Sequence, residues 1–199
     1  MAETLAELRE EMIRKADCCA LKPTRRHLVF GVGSETADLM FVGEAPGAKE
    51  DEMGEPFVGA AGKLLDRLLG RIGLRRDQVY IANVLKCRPP NNRDPLPEEV
   101  ERCKPYLMEQ VRIIKPKVVA TLGNHATKLI LDTNVGITKL HGKKVERPGY
   151  TVFPLYHPAA ALYTPAYVEA LEDDFDALKK ALEEDDPPVA AAPEQTTLF

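Results

Sequence analysis

The chain has 199 residues, 44% of them hydrophobic, enough for one sizeable core within the size range of a single domain. No apolar run approaches the roughly 20 residues of a membrane-spanning helix, and residues 1–15 mix acids and bases, so neither an anchor nor a signal peptide is visible and a soluble, cytoplasmic protein is expected. The net charge of -4 does not exclude a polyanionic partner, because residues 172–199 carry -7 and leave +3 on the rest.

Leu5, Leu8, Met12 and Ile13 recur at helical spacing, which predicts an amphipathic helix over 4–15 with Thr4 as N-cap and Glu7 as its capping-box partner. Short apolar runs rich in β-formers follow at 38–43, 79–84 and 117–123, with a fourth at 150–156. Helical patterns at 60–72, 97–114 and 125–131 alternate with them. Strands that look buried on both faces and alternate with helices predict an α/β fold around a largely parallel sheet. Sites in such sheets gather at the carboxyl ends of the strands. Bases cluster at 71–76, 86–93 and 139–147, as a face that meets phosphates would require, although solvated helix faces account for such charges equally well. Residues 183–193 are acidic and then Pro/Ala-rich, the composition of a flexible tail.

A glycine-rich loop follows the first strand, with Gly43, Gly47, Gly59 and Gly62 around Glu44, Ala45, Pro46 and Phe57. It matches neither the P-loop nor the dinucleotide fingerprint. Phe57 could stack on a planar ligand there, while composition alone reads it as a core aromatic. Asn83 and His157 each end an apolar strand. An Asn amide donates and accepts together, as reading a base edge requires, and a His can hydrogen-bond an oxygen that gains charge as a base departs. A cap or turn role for Asn83 and a buried structural role for His157 are the plainer readings. Cys18, Cys19, Cys87 and Cys103 suffice for one metal centre, but their spacing fits neither a zinc ribbon nor a ferredoxin run; zinc, an iron-sulfur cluster and unliganded thiols all stay open.

Taken together, GEAPGAKEDEMGEPFVGAAG at 43–62, NVLKCRPPNNRDPLPEEVERC at 83–103, GITKLHGK at 136–143 and YHPAAAL at 156–162 closely resemble family 4 uracil-DNA glycosylases, the thermostable iron-sulfur type, over nearly all of the chain up to about Lys180. The resemblance implies a three-layer α/β/α sandwich with a four-stranded, mainly parallel central sheet, spanning residues 1–182 as one domain, with 183–199 as the tail. It implies a monomer, nucleoid-associated, that acts on uracil in single- or double-stranded DNA and leaves an abasic site. Phe57 would stack on the flipped uracil, Asn83 would bond its polar edge and His157 its O2, with Gly43, Glu44, Ala45, Pro46 and Gly47 forming the water and sugar side of the pocket. Ala45 stands where better-known uracil glycosylases carry a water-polarising aspartate, which leaves Glu44 to position water or to exclude the thymine methyl group. Arg88 and Arg93 would hold phosphates, and Leu162 or Tyr163 would wedge into the minor groove. A 4Fe-4S cluster is implied on Cys18, Cys19, Cys87 and Cys103. The family's usual Cys-x-x-Cys pair is altered here: Ala16 falls where the first ligand would be, so Cys18 would substitute by local rearrangement. Gln195 to Phe199 (QTTLF) resembles the peptide by which repair proteins dock on the bacterial sliding clamp. Two other readings compete: a non-catalytic iron-sulfur DNA-binding module, and a glycosylase of broader deaminated-base specificity.

Overall fold

The computed structural model of the chain describes residues 2–15 and 19–184. The first helix, α1 (Leu5–Arg14), begins where Thr4 Oγ1 accepts the Glu7 N–H at 3.2 Å. The Glu7 carboxylate reaches back to the Glu3 N–H at 2.8 Å, one residue before the position a standard capping box would satisfy. There follow β1 (Val32–Gly33), β2 (Leu39–Gly43), α2 (Ala48–Met53), α3 (Ala60–Arg71), β3 (Tyr80–Asn83), α4 (Pro97–Ile114), β4 (Val118–Leu122) and α5 (Asn124–Leu131). The chain continues through α6 (Ile137–Leu140), β5 (Val145–Arg147), β6 (Tyr150–Leu155), α7 (Pro158–Ala161) and α8 (Pro165–Glu183).

The strands form one sheet in the order β1-β3-β2-β4-β6-β5. Its four central strands run parallel, as expected, and the antiparallel edge strands β1 and β5 extend the expected four to six. At two and three residues, the edge strands are too short to show a periodic pattern in sequence. Alternate side chains of the buried central strands feed two cores. Met40, Val42, Tyr80, Ala82 and Val119 pack with α1 and α4 on one face, together with Cys19, Cys87 and Cys103. Leu39, Phe41, Ile81, Ala120 and Phe153 pack with α3, α7 and α8 on the other. The result is the expected three-layer α/β/α sandwich.

From β2 the chain crosses through α3 to β3 on one side, then through α4 to β4 on the other. This reversal places the carboxyl ends of β2, β3, β4 and β6 around a crevice, the place where open α/β sheets bind ligands. Phe175 of α8 stacks on Phe41 of β2, with ring centroids 5.8 Å apart and planes at 12°. Phe175→Ala is expected to destabilise the protein by about 3 to 5 kcal/mol, read from the shift in urea unfolding; a loss below about 1 kcal/mol would mean that this stack does not anchor the outer layer.

Candidate active site

The segments that follow β2, β3 and β6 converge on a cavity of about 420 Å³ lined by Glu44, Phe57, Asn83, Asp94 and His157, among others. Gly43 and Asn83 are neighbours in the parallel β2–β3 register. A Cβ at Gly43 would collide with Asn83 Oδ1 and come within 2.8 Å of the Phe57 ring, so only glycine lets both side chains reach the cavity. Phe57 itself has a left-handed backbone at φ 55°, unusual for an aromatic residue. Three contacts hold it there. Arg76 Nη1 donates to the Phe57 carbonyl at 3.1 Å and its other nitrogen to the Pro56 carbonyl. The Glu50 carboxylate accepts the N–H groups of Val58 at 3.1 Å and Gly59 at 3.0 Å. The Phe57 carbonyl also occupies the space a side chain at Gly62 would need. So fixed, the Phe57 ring faces the His157 imidazole, with centroids 5.6 Å apart and planes at 28°.

Asn83 is only 2% exposed, and its side-chain Oδ1 is buried with no hydrogen-bond partner. Such an orphan acceptor costs about 1 to 3 kcal/mol and is relieved by a ligand that offers a donor. His157 caps α7: its Nδ1 accepts the Ala159 N–H at 3.1 Å. Burial pushes its pKa down to about 4, opposed by the nearby Glu50 carboxylate. The imidazole is therefore neutral near pH 7, and with Nδ1 accepting, the ring proton sits on Nε2 as a donor. Burial raises the Glu44 carboxyl above its ordinary value, His125 pulls it back and Asp94 pushes it further up. The ligand-capable atoms of Glu44, Asp94 and His125 all lie within 4.8 Å of one another at the rim.

The structure thus brings Gly43, Glu44, Ala45, Gly47, Phe57, Asn83 and His157 together, with Ala45 half-buried in the wall and Gly47 as the N-cap of α2. Arg93 also lines the cavity, but its guanidinium is committed to Glu99 at 2.6 and 2.9 Å and to the Asp94 carbonyl, so it braces the loop. Arg88 Nε donates to Asn92 Oδ1 at 2.7 Å. Leu162 and Tyr163 project just beyond α7, 44% and 87% exposed. Sequence reasoning missed Glu50, Arg76 and His125. Glu50 lies in the glycine-rich stretch already singled out, whereas Arg76 and His125 are distant in sequence and become neighbours only through the fold.

The described cysteines lie on the α1/α4 face of the sheet. Cys19, Cys87 and Cys103 are all buried, and the thiols of Cys87 and Cys103 both act on that of Cys19. Cys18 lies outside the described residues. The Cys19 contact lowers the Cys87 and Cys103 thiols, Cys103 to about 7, while the same two contacts raise Cys19. Arg25 Nη1 donates to Cys87 Sγ at 3.2 Å. A buried, all-sulfur donor set with cationic support fits a soft metal centre of iron-sulfur or zinc type. Beside it, Lys86 is completely buried, and that burial lowers its ammonium pKa to about 7 against an upward pull from Cys103.

No helix among the described residues is long and apolar enough to cross a membrane. The family model of the uracil DNA glycosylase superfamily matches residues 30–184. A type-4 uracil-DNA glycosylase of Sulfurisphaera tokodaii is 49% identical over 187 residues, covering 89% of this chain and 84% of that protein. One of Archaeoglobus fulgidus is 53% identical over 165 residues, covering 79% and 83%. One of Saccharolobus solfataricus is 47% identical over 185 residues, covering 88% and 86%. By the extent of these matches, the chain belongs to the uracil DNA glycosylase superfamily and, within it, to the type-4 uracil-DNA glycosylases.

Proposed function

We propose that the protein hydrolyses the N-glycosidic bond of uracil in DNA, leaving an abasic site and initiating base excision repair. The observation that carries this reading is the orphan Asn83 Oδ1 at the floor of the cavity. Uracil offers an N3–H donor beside the O4 acceptor, which an Asn amide meets with its oxygen and its nitrogen. Cytosine carries the opposite pair and would set a lone pair against Oδ1. A base within a duplex is out of reach of such a floor, so it must first be extruded, which costs less for uracil opposite guanine than for a matched pair. Phe57 then supplies the stacking surface that replaces the lost neighbours.

Cleavage of the bond between C1′ and N1 leaves its electron pair on uracil and positive charge on the sugar. His157 donates through Nε2–H to O2, where negative charge accumulates only as the bond breaks, so the bond strengthens in the transition state. A neutral donor suits this role, because it stabilises the anion without first surrendering its own proton to the solvent. Glu44, at the sugar side, positions the water whose oxygen attaches to C1′; Ala45 offers no carboxylate for that task. Leu162 and Arg88 are read as contacts to the minor groove and to phosphate.

Cys19, Cys87 and Cys103, with Cys18 as fourth ligand, would hold a 4Fe-4S cluster that braces the α1/α4 face. Such a centre joins segments distant in sequence, and hydrolysis asks no electron transfer of it. The domain boundary at residue 182, the monomeric state, the cytoplasmic and nucleoid location, and docking of Gln195 to Phe199 on a sliding clamp belong to this reading on sequence alone; residues 195–199 lie outside the described ones.

Oligonucleotides with U opposite G, U opposite A, single-stranded U and T opposite G test the reading directly. Excision is expected from the three uracil substrates with thymine spared, and His157→Ala should slow it roughly 100- to 1000-fold; a DNA-binding preparation that excises nothing would favour a non-catalytic module, and release of hypoxanthine or xanthine a broader enzyme. Glu44→Gln is expected to lower kcat, and unchanged activity would remove Glu44 from the water-positioning role. The acid limb of activity should fall nearer pH 4 than pH 6.5, the ordinary value for histidine. Because its pKa is depressed on folding, His157 contributes stability that is fully present above about pH 6.5 and lost as pH falls towards 4, a slope that His157→Gln should flatten in unfolding measured across that window. Iron and acid-labile sulfide near four each per chain are expected in protein purified without oxygen, and Cys103→Ala should lose both together with thermal stability; stoichiometric zinc instead would overturn the cluster.

A further inference from the structure

The uracil reading leaves one buried cation without a task. Lys86 is 0% exposed, and its Nζ donates to the Asn83 backbone carbonyl at 2.8 Å and to Gln110 Oε1 at 2.5 Å. Gln110 is anchored in turn: its Nε2 donates to the Phe30 carbonyl at 2.9 Å and to the Tyr80 hydroxyl at 3.2 Å. The main chain of Lys86 is held as well, its carbonyl accepting the Val29 N–H at 2.9 Å, and its N–H favours the Cys103 thiolate and so helps to lower that thiol. Cys103 and Gln110 lie seven residues apart on α4, two turns along one face, so one rigid helix carries both of the groups that grip Lys86.

A lysine is an expensive way to fill such a position. Burying an ammonium costs several kcal/mol unless its partners are well placed, and a methionine would fill the same volume without that cost. What lysine alone supplies is a strong donor aimed at the one carbonyl that ends β3. The ladder to β2 persists past that point through the N–H groups of Val84 and Leu85, which donate to Gly43 and Glu44 at 2.9 Å each. The direction of that carbonyl sets where the Asn83 side chain stands over the cavity.

We propose that Lys86 is a positioning residue for base recognition, tying the Asn83 main chain to Gln110 and Cys103 so that α4 and the cysteine centre fix the height and tilt of the amide that reads uracil. This inference rests on the uracil reading of the pocket. It assigns the cysteine centre a consequence at the active site that involves no chemistry on the metal.

A double-mutant cycle on the metal-loaded enzyme tests it, with Lys86→Met, Asn83→Ala and the pair, read by kcat/KM on single-stranded uracil DNA, by inhibition with free uracil, and by iron content and melting temperature. Lys86→Met is expected to keep its iron, lose roughly 10- to 100-fold in kcat/KM as a small misplacement at a reacting centre does, and bind free uracil correspondingly more weakly. The pair should be no slower than Asn83→Ala alone. Lys86→Gln, which keeps a donor on a shorter stem, should recover part of the loss, and it replaces Lys86→Met in the cycle if that variant does not fold. An iron-loaded Lys86→Met within twofold of wild type overturns the proposal, as do losses that multiply in the pair, which would place the effect in the fold or the metal centre. Wild-type protein that excises no uracil would instead sink the reading on which the proposal rests.

Discussion

At the carboxyl end of β2, the Gly43 backbone, the Asn83 amide and the Phe57 ring share a space that admits no further carbon atom. A Cβ at Gly43 would collide with both neighbours, and the parallel register that sets Gly43 beside Asn83 belongs to the buried centre of the sheet. The shape of the pocket is therefore set by the packing of the whole sandwich, through strands whose side chains alternate into two cores. Loops complete the site, but they are tied to that frame: Glu50 and Arg76 hold the Phe57 turn by its backbone, and Ala159 N–H fixes the ring of His157.

The electrostatics follow from the same enclosure. Burial removes charge from His157 and raises the Glu44 carboxyl, so the inner wall presents dipoles. Neutral donors and acceptors suit a planar, uncharged base, and a dry wall magnifies their effect as charge develops. The cations that a sequence reading assigns to DNA divide in the structure. Arg93 neutralises the buried Glu99 and shapes the rim, and Lys86 turns inward altogether.

Most of the scaffold is legible in the sequence. The four central strands announce themselves because burial on both faces demands unbroken apolar runs, and the helices between them because one face must stay wet. Strands of two and three residues carry no such signal, so β1 and β5 emerge only in the fold. The site divides along similar lines. Asn83 and His157 stand out as polar groups that end apolar strands, and Phe57 as an aromatic among glycines. Residues that act through backbone contacts or across distant segments, such as Arg76 on the Pro56 and Phe57 carbonyls, leave no local pattern. The assignments of the cysteines and of the pocket roles come from resemblance, since spacing alone leaves zinc, iron-sulfur and plain thiols open.

Phe57 keeps a left-handed backbone braced from three sides by the protein's own groups. The slot is thus set before DNA arrives, and little conformational entropy remains to be lost when a base enters. The variable part of the cost then lies on the nucleic acid, in unstacking the nucleotide. A gauge of this kind ranks its targets by how readily each opens, so the local melting tendency of the DNA governs where the enzyme acts first.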